Sequence, residues 1–369
     1  MTAIRVLHVV TYMGRGGLET MIMNYYRHIN REQVQFDFLV HREFEADYDK
    51  EIEELGGRIY RLPNLNPFSK DYLSKLDEFF ATHKEYRIVH SHLDCMAGIP
   101  LKYAAKHDVP VRIAHAHNSN QTKDKKYLLK LFFKKNIVKY ATDLFACGID
   151  AGKWMFSIDE FQILNNAIDA EKFKYDQNVR YDMRKKWNIT EDSLVIGHVG
   201  RFRIQKNHEF LLEVFADVLK KKTDAKLVLV GEGEQLESIR CKIQKLGIEK
   251  QVIFAGDCDN VSEILQAMDV FVFPSLYEGL PVSVVEAQAA GLPCLISDKV
   301  PIECKKTNLV QQIALDAGTE IWTDRIIDAV KKTRRDTFEE IQKSGFDIKA
   351  NAAWLEQFYL NAYANHRGK

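Results

Sequence analysis

Apolar residues fall into short runs separated by amphipathic stretches nearly from end to end of the chain. Runs at Arg5–Val10, Asp37–Val40, Ile88–Ser91, Val111–Ala114, Leu144–Ala146 and Gln162–Leu164 predict one series of strands. Leu194–His198, Lys226–Val230, Val252–Phe254, Val270–Phe273 and Pro293–Ile296 predict a second. Between them Glu19–His28, Asp71–Phe80, Glu209–Lys220, Glu234–Lys245 and Val261–Ala267 have helical spacing. Strands spaced by helices imply parallel βαβ units with right-handed crossovers. The polar segment Asn165–Trp187 divides the two series, which predicts two doubly wound α/β domains facing a cleft. Their expected bounds are residues 1–165 and 166–345. The helical stretch Ala352–Tyr363, with Trp354, Leu355, Phe358 and Tyr359, must find a surface to pack on.

Length and composition narrow the class. With 369 residues, 46% hydrophobic and 28% charged, the chain suits two domains with real cores and is not a disordered protein. Lysine plus arginine equals aspartate plus glutamate, 52 each, so no global field points to nucleic acid. The start lacks a long apolar signal region, and no stretch reaches the roughly 20 apolar residues of a membrane span. Six scattered cysteines without a Cys-x-x-Cys pair suit free thiols in a reducing compartment. These features lead to an expectation of a cytoplasmic protein.

In doubly wound sheets ligands sit beyond the carboxyl ends of strands, so the loops there matter most. After Val270–Phe273 the chain reads Glu278-Gly-Leu-Pro-Val-Ser-Val-Val-Glu286, ending in a helix stopped by Gly291-Leu-Pro293. A glycine turn leading into a helix N-terminus offers backbone N–H groups and a positive dipole end to a phosphate. Glu278 and Glu286 flank it, and a carboxylate can accept from two hydroxyls of a sugar or ribose. The plain alternative is a capping glutamate and a solvated one. After Leu194–His198 comes Gly200-Arg-Phe-Arg-Ile-Gln-Lys206, whose Arg201 and Lys206 could neutralise charge on a leaving diphosphate. They could equally be surface cations by a turn. Gly14-Arg-Gly-Gly-Leu-Glu19 follows the first strand and lacks the third glycine of a dinucleotide fingerprint, as does Gly231-Glu-Gly233.

With these residues in view, the segment EGLPVSVVEAQAAGLP resembles the Glu-x7-Glu motif of retaining family 4 glycosyltransferases, enzymes of the GT-B type with two Rossmann-like domains. The resemblance runs in order along nearly the whole chain. It implies that Glu278 contacts the donor sugar, that Glu286 holds the ribose, and that the N–H groups of Gly279 and Leu280 bind the diphosphate. It also implies charge neutralisation by Arg201 and Lys206, and a diphosphate or acceptor contact at Gly16 and Gly17. A C-terminal helix, 350–369, is expected to return to the first, acceptor-binding domain, while the second binds the donor. Two departures stand out. Asn165 and Ala167 replace the proline and glycine of an interdomain turn, and alanine is disfavoured at positive φ. No extra glycine follows Leu280.

Histidines gather at two strand ends: His90 with His92, and His115 with His117. Residues two apart on a strand share a face. Such pairs suit either a metal or a hydrogen-bonded core role, and no third ligand stands at a diagnostic spacing. The resemblance favours His117, then His115, as a hydrogen-bond donor to the sugar. Asp257-Cys-Asp259 reads as a turn rather than a metal-binding pair. No metal and no cofactor are therefore expected. Lys123–Lys139 interleaves lysines with Leu128, Leu129, Leu131, Phe132 and Phe133. It suits either a helix packed on the sheet or a peripheral contact with an anionic membrane.

The expected activity is transfer of a sugar from a nucleotide sugar, UDP-linked by family usage, to a hydroxyl of a surface-polysaccharide or lipid-linked glycan precursor. The rivals are a sugar-nucleotide epimerase or phosphorylase of the same fold, and a non-catalytic nucleotide-sugar-binding subunit.

Overall fold

The computed structural model describes residues 3–118, 127–331 and 334–366. Two compact units emerge: Met1–Ala167 with Ile348–Lys369, and Ile168–Asp347. The first holds a seven-stranded sheet of β1 (Ile4–Val9), β2 (Val34–Val40), β3 (Ile59–Arg61), β4 (Ile88–Ser91), β5 (Val111–Ala116), β6 (Asp143–Ala146) and β7 (Gln162–Ile163). The second holds β8 (Val195–Val199), β9 (Lys226–Val230), β10 (Val252–Gly256), β11 (Val270–Phe273), β12 (Cys294–Ser297) and β13 (Val310–Ile313). Every pairing is parallel. The spatial orders are β3-β2-β1-β4-β5-β6-β7 and β10-β9-β8-β11-β12-β13. Each order reverses once, between β1 and β4 and between β8 and β11. Those are the topological switch points where such sheets bind ligands.

Parallel sheets need both faces covered, and both cores are built that way. In the C-terminal unit Val195, Phe271 and Phe273 pack with Val284 and Val285 on one side. Ile196, Val270 and Val272 pack with Phe215 and Trp322 on the other. In the N-terminal unit Leu7, Val89 and Ala114 face Leu76 and Leu101. The opposite face, with Val6, Ile88 and Ile113, is covered by Ile348, Ala352, Leu355 and Tyr359. These last four belong to the helix Ile348–Asn365, which thus packs on the N-terminal unit.

Three readings change. The edge strands β3 and β13 were not anticipated. The segment Asn165–Trp187 carries the helices Ala170–Phe173 and Gln177–Lys186, and its Arg184, fully buried, donates to Asp269 at 2.7 Å. Asp269 also accepts from the Val195 N–H at 2.7 Å, so this segment is anchored at the edge of β8. Ala167 is buried and its φ is not positive, which removes the difficulty expected of alanine there.

Candidate active site

At the β8–β11 switch point the loops after the two strands are clipped together. Leu276 N–H donates to the Gln205 carbonyl at 2.8 Å, and the Gln205 amide donates to the Tyr277 carbonyl at 2.9 Å. Asn207, left-handed at φ 56°, donates from its side chain to the Pro274 carbonyl at 3.1 Å. The clip brings Lys206 Nζ to 2.7 Å from Glu278 Oε1. The same ammonium lies 4.6 Å from the centre of the Phe273 ring, a cation–π contact that steadies it further. Gly231, at φ 127°, backs the loop from below: a side chain there would meet the Gly200 carbonyl oxygen at 2.4 Å.

The helix after Glu278 spans Val282–Ala289, and no side chain caps its first turn. The helix starts only after Pro281, which lacks an N–H and pushes the residue before it out of helical backbone. Gly279 and Leu280 therefore lie in the loop, with open space where a Gly279 side chain would project. Glu286 lies one turn into the helix. Burial pushes its carboxyl up to about 7, an effect opposed by the charge of Lys172. Arg201 lies in the exposed loop just after β8.

The β1–β4 switch point of the N-terminal unit is built differently. His8 pairs in register with His90, and Ser91 with Ala114, so His92 and His115 continue side by side. All four, with His117 one step further, share the face that carries Val6, Ile88 and Ile113. His8 Nδ1 lies 3.0 Å from His92 Nε2, and His92 Nδ1 lies 2.9 Å from His117 Nε2. His90 Nε2 lies 3.2 Å from His115 Nδ1, and His90 Nδ1 lies 2.7 Å from the Tyr359 hydroxyl. Burial lowers every one of these imidazoles, His8 and His117 to about 3, so the rings are neutral near pH 7. Beside His117, burial raises Asp94 to about 6, opposed by its hydrogen bonds from the Asn118 amide and the His117 backbone. Gly16 precedes the helix Gly17–His28, and Gly17 has open space where a side chain would project.

Comparison with known proteins decides the family. The family described as "Glycosyl transferases group 1" matches residues 179–336. The putative glycosyltransferase EpsF of Bacillus subtilis (strain 168) is 36% identical over 97% of this chain and 96% of its own. The chain belongs to the group 1 glycosyl transferases. A UDP-Gal:alpha-D-GlcNAc-diphosphoundecaprenol alpha-1,3-galactosyltransferase of Escherichia coli is 27% identical over 80% of this chain and 81% of its own. Among solved structures, Anabaena Alr3699/HepE, in complex with UDP and glucose, superposes with a TM-score of 0.71 at 14% identity, covering 96% of this chain and 94% of that one. The fold of this glycosyltransferase is thus GT-B, with two parallel-sheet, Rossmann-like units.

Within this glycosyltransferase, Lys206 meets Glu278 directly, and His115 and His117 enter one imidazole cluster. His8 was missed, since its neighbour His90 is set by sheet order and not by sequence spacing. It supplies the further histidine that spacing alone did not offer. Asp257 and Asp259 lie in the turn that leaves β10 through Gly256 at φ 72°, as a turn reading requires. The basic segment is two helices, Tyr127–Lys134 and Ile137–Tyr140, rather than one; residues 123–126 lie outside the described residues. Among the described residues no helix is long and apolar enough to cross a membrane.

Proposed function

We propose that this glycosyltransferase moves a sugar from a UDP-sugar to a hydroxyl of a lipid-linked glycan or surface-polysaccharide precursor, with retention of anomeric configuration. The observation that carries the reading is the Lys206–Glu278 pair at the β8–β11 switch point. It sets a cation for the diphosphate beside a carboxylate for the sugar hydroxyls. Glu278 reads the sugar and Glu286 the ribose. The N–H groups of Gly279 and Leu280, with the uncapped helix start, take the diphosphate. Arg201 and Lys206 stabilise the charge that grows on the leaving UDP, so no metal is required at the diphosphate. His117, with His115 behind it, donates to the donor sugar, and Gly16 and Gly17 admit the diphosphate or acceptor close to the backbone. The acceptor hydroxyl attacks the anomeric carbon on the face the UDP leaves, and its proton passes to a departing phosphate oxygen.

The names of relatives support the donor and acceptor classes: one uses UDP-Gal and a diphosphoundecaprenol-linked sugar, and one is solved with UDP. Nucleotide release across UDP-, GDP- and ADP-sugars, with lipid-linked acceptors added, tests the reading. UDP release dependent on such an acceptor is expected. Preferential turnover of GDP- or ADP-sugars would overturn the donor assignment.

A peripheral membrane contact has its own observation. Leu128 and Phe132 are 80% and 64% exposed beside the lysines of their helix, and Phe68, 70% exposed, touches Phe133 of the same helix. Apolar side chains among cations suit an anionic lipid surface that would hold a lipid-linked acceptor. Sedimentation with anionic vesicles but not with neutral ones is the expected result.

A further inference from the structure

The histidine cluster is larger than contact with a sugar requires. Its strand neighbours on the same face, Val6, Ile88 and Ile113, are aliphatic and fill the core without polar atoms. Five imidazoles in that layer bring nitrogens that need partners, and His8 Nε2 and His117 Nδ1 have none among the described residues. An unpaired buried polar atom costs about 1–3 kcal/mol, so a purely structural role would favour aliphatic residues here as well. The face is organised around nitrogen lone pairs.

We propose that His92, His115 and His117 form a binding site for one divalent transition-metal ion of the zinc type. One nitrogen from each ring lies within 4.8 Å of one from each of the others. The rings lie close and tilted to one another, with His115 and His117 centroids 4.1 Å apart and His92 5.2 Å from both. A tetrahedral ion with bonds of about 2.0–2.1 Å holds its ligand nitrogens about 3.3 Å apart, so modest ring rotations bring the three into range. Neutral imidazole is the ligating form, and three such rings leave a fourth position open.

The neighbouring groups fit the same assignment. A ligating histidine is oriented by a partner on its other ring nitrogen. His92 has His8 at 3.0 Å, and His115 has His90 at 3.2 Å, itself fixed by the Tyr359 hydroxyl at 2.7 Å. A second trio, His8, His90 and His92, also has nitrogens within 4.8 Å of one another, but all three rings are fully enclosed. His117 is only half-buried, which gives the outer trio a path for an ion. The carboxyl of Asp94, held by the His117 backbone and the Asn118 amide, adds an acidic group beside that entry. The inference concerns binding and not turnover; it meets the transfer reading at His117, whose ring nitrogen would serve the ion in place of the donor sugar, and metal uptake measured without nucleotide sugar tests it separately.

The test uses the full chain, stripped with a chelator and titrated with Co2+ by visible absorption and with Zn2+ by calorimetry. One ion per chain is expected, with Co2+ bands of four-coordinate intensity. His117→Asn, at the rim of the cluster, should weaken binding about 100-fold or more while leaving the thermal melt unchanged. Tyr359→Phe, acting through His90 and His115, should weaken it about 10-fold. The proposal is overturned if the wild-type chain takes up no stoichiometric Co2+ or Zn2+. It is also overturned if the folded His117→Asn chain binds them as tightly as wild type. His92→Gln adds a third reading where circular dichroism shows it folded.

Discussion

The two units repeat one strand order and place polar groups at the same point in it, the reversal between their central strands. What they put there differs. The C-terminal unit sets charges in loops beyond the strands, with Lys206 against Glu278, and places the buried carboxyl of Glu286 one turn into the helix that follows. The N-terminal unit draws its polar groups down onto the strands themselves, as neutral rings in a closed layer with Tyr359 over them. Opposite charges on two loops, paired and mostly buried, can exchange each other for a ligand. Imidazoles in a packed layer are fixed by one another and exclude protons. One switch point is built for electrostatic work, the other for orientation.

Removing charge from the C-terminal switch point should have the largest effect. Glu278→Ala and Lys206→Ala are each expected to lower the transfer rate about 100- to 1000-fold while circular dichroism shows the fold retained. Wild-type turnover in either variant would show that the pair does not serve the reaction.

Acid should separate the units next. Imidazoles held near 3 in the folded chain and 6.5 in the unfolded one bind protons only on unfolding. Their contribution is complete above pH 6.5 and is lost as pH falls through that value toward 3. Chemical denaturation followed between pH 7 and 4 should show a steep loss of stability. It should be shallower in a His8→Phe chain. A flat profile would contradict the neutral layer.

Glu286 runs with the opposite sign. Its carboxyl rises from 4.5 to about 7 on folding, so its contribution is most favourable below pH 4.5 and is lost as pH rises through 7. Glu286→Gln should therefore stabilise the protein at pH 8 by about 1–3 kcal/mol, and not at pH 4. UDP should bind about 10-fold more weakly to the variant by calorimetry, since an amide replaces a two-oxygen acceptor. Equal stability at pH 8 would remove the buried-carboxyl account.

The smallest effect on stability concerns the glycine loop. Nothing lies within 4 Å of where a Gly17 side chain would project, and its φ is not positive. Gly17→Ala should change the melting temperature by no more than about 2 °C, yet reduce donor affinity if the backbone approaches the ligand there. A large loss of stability would assign this glycine to the fold instead.

Much of this was legible in the chain. Apolar runs located the central strands because parallel strands are buried on both faces, and β4, β9 and β11 matched their runs residue for residue. The edge strands β3 and β13 were not legible, since half-exposed sequences such as Ile59-Tyr60-Arg61 lack that signature. Lys206 and Glu278 could be named from their loops, but their meeting at 2.7 Å depends on β8 lying beside β11. His8 was hidden for the same reason. Strand order is non-local, and no spacing within one strand reveals which histidine will stand beside it.

The return of the helix Ile348–Asn365 to the first sheet has a consequence for biogenesis. The ribosome makes the N-terminal strands first, yet the face of their sheet bearing Val6, Ile88 and the histidines is covered by a helix that follows the whole C-terminal unit in sequence. The C-terminal unit, contiguous in sequence, can close while synthesis continues. The half of the molecule born first is the last to mature, and a nascent chain must shield that face until the helix Ile348–Asn365 emerges.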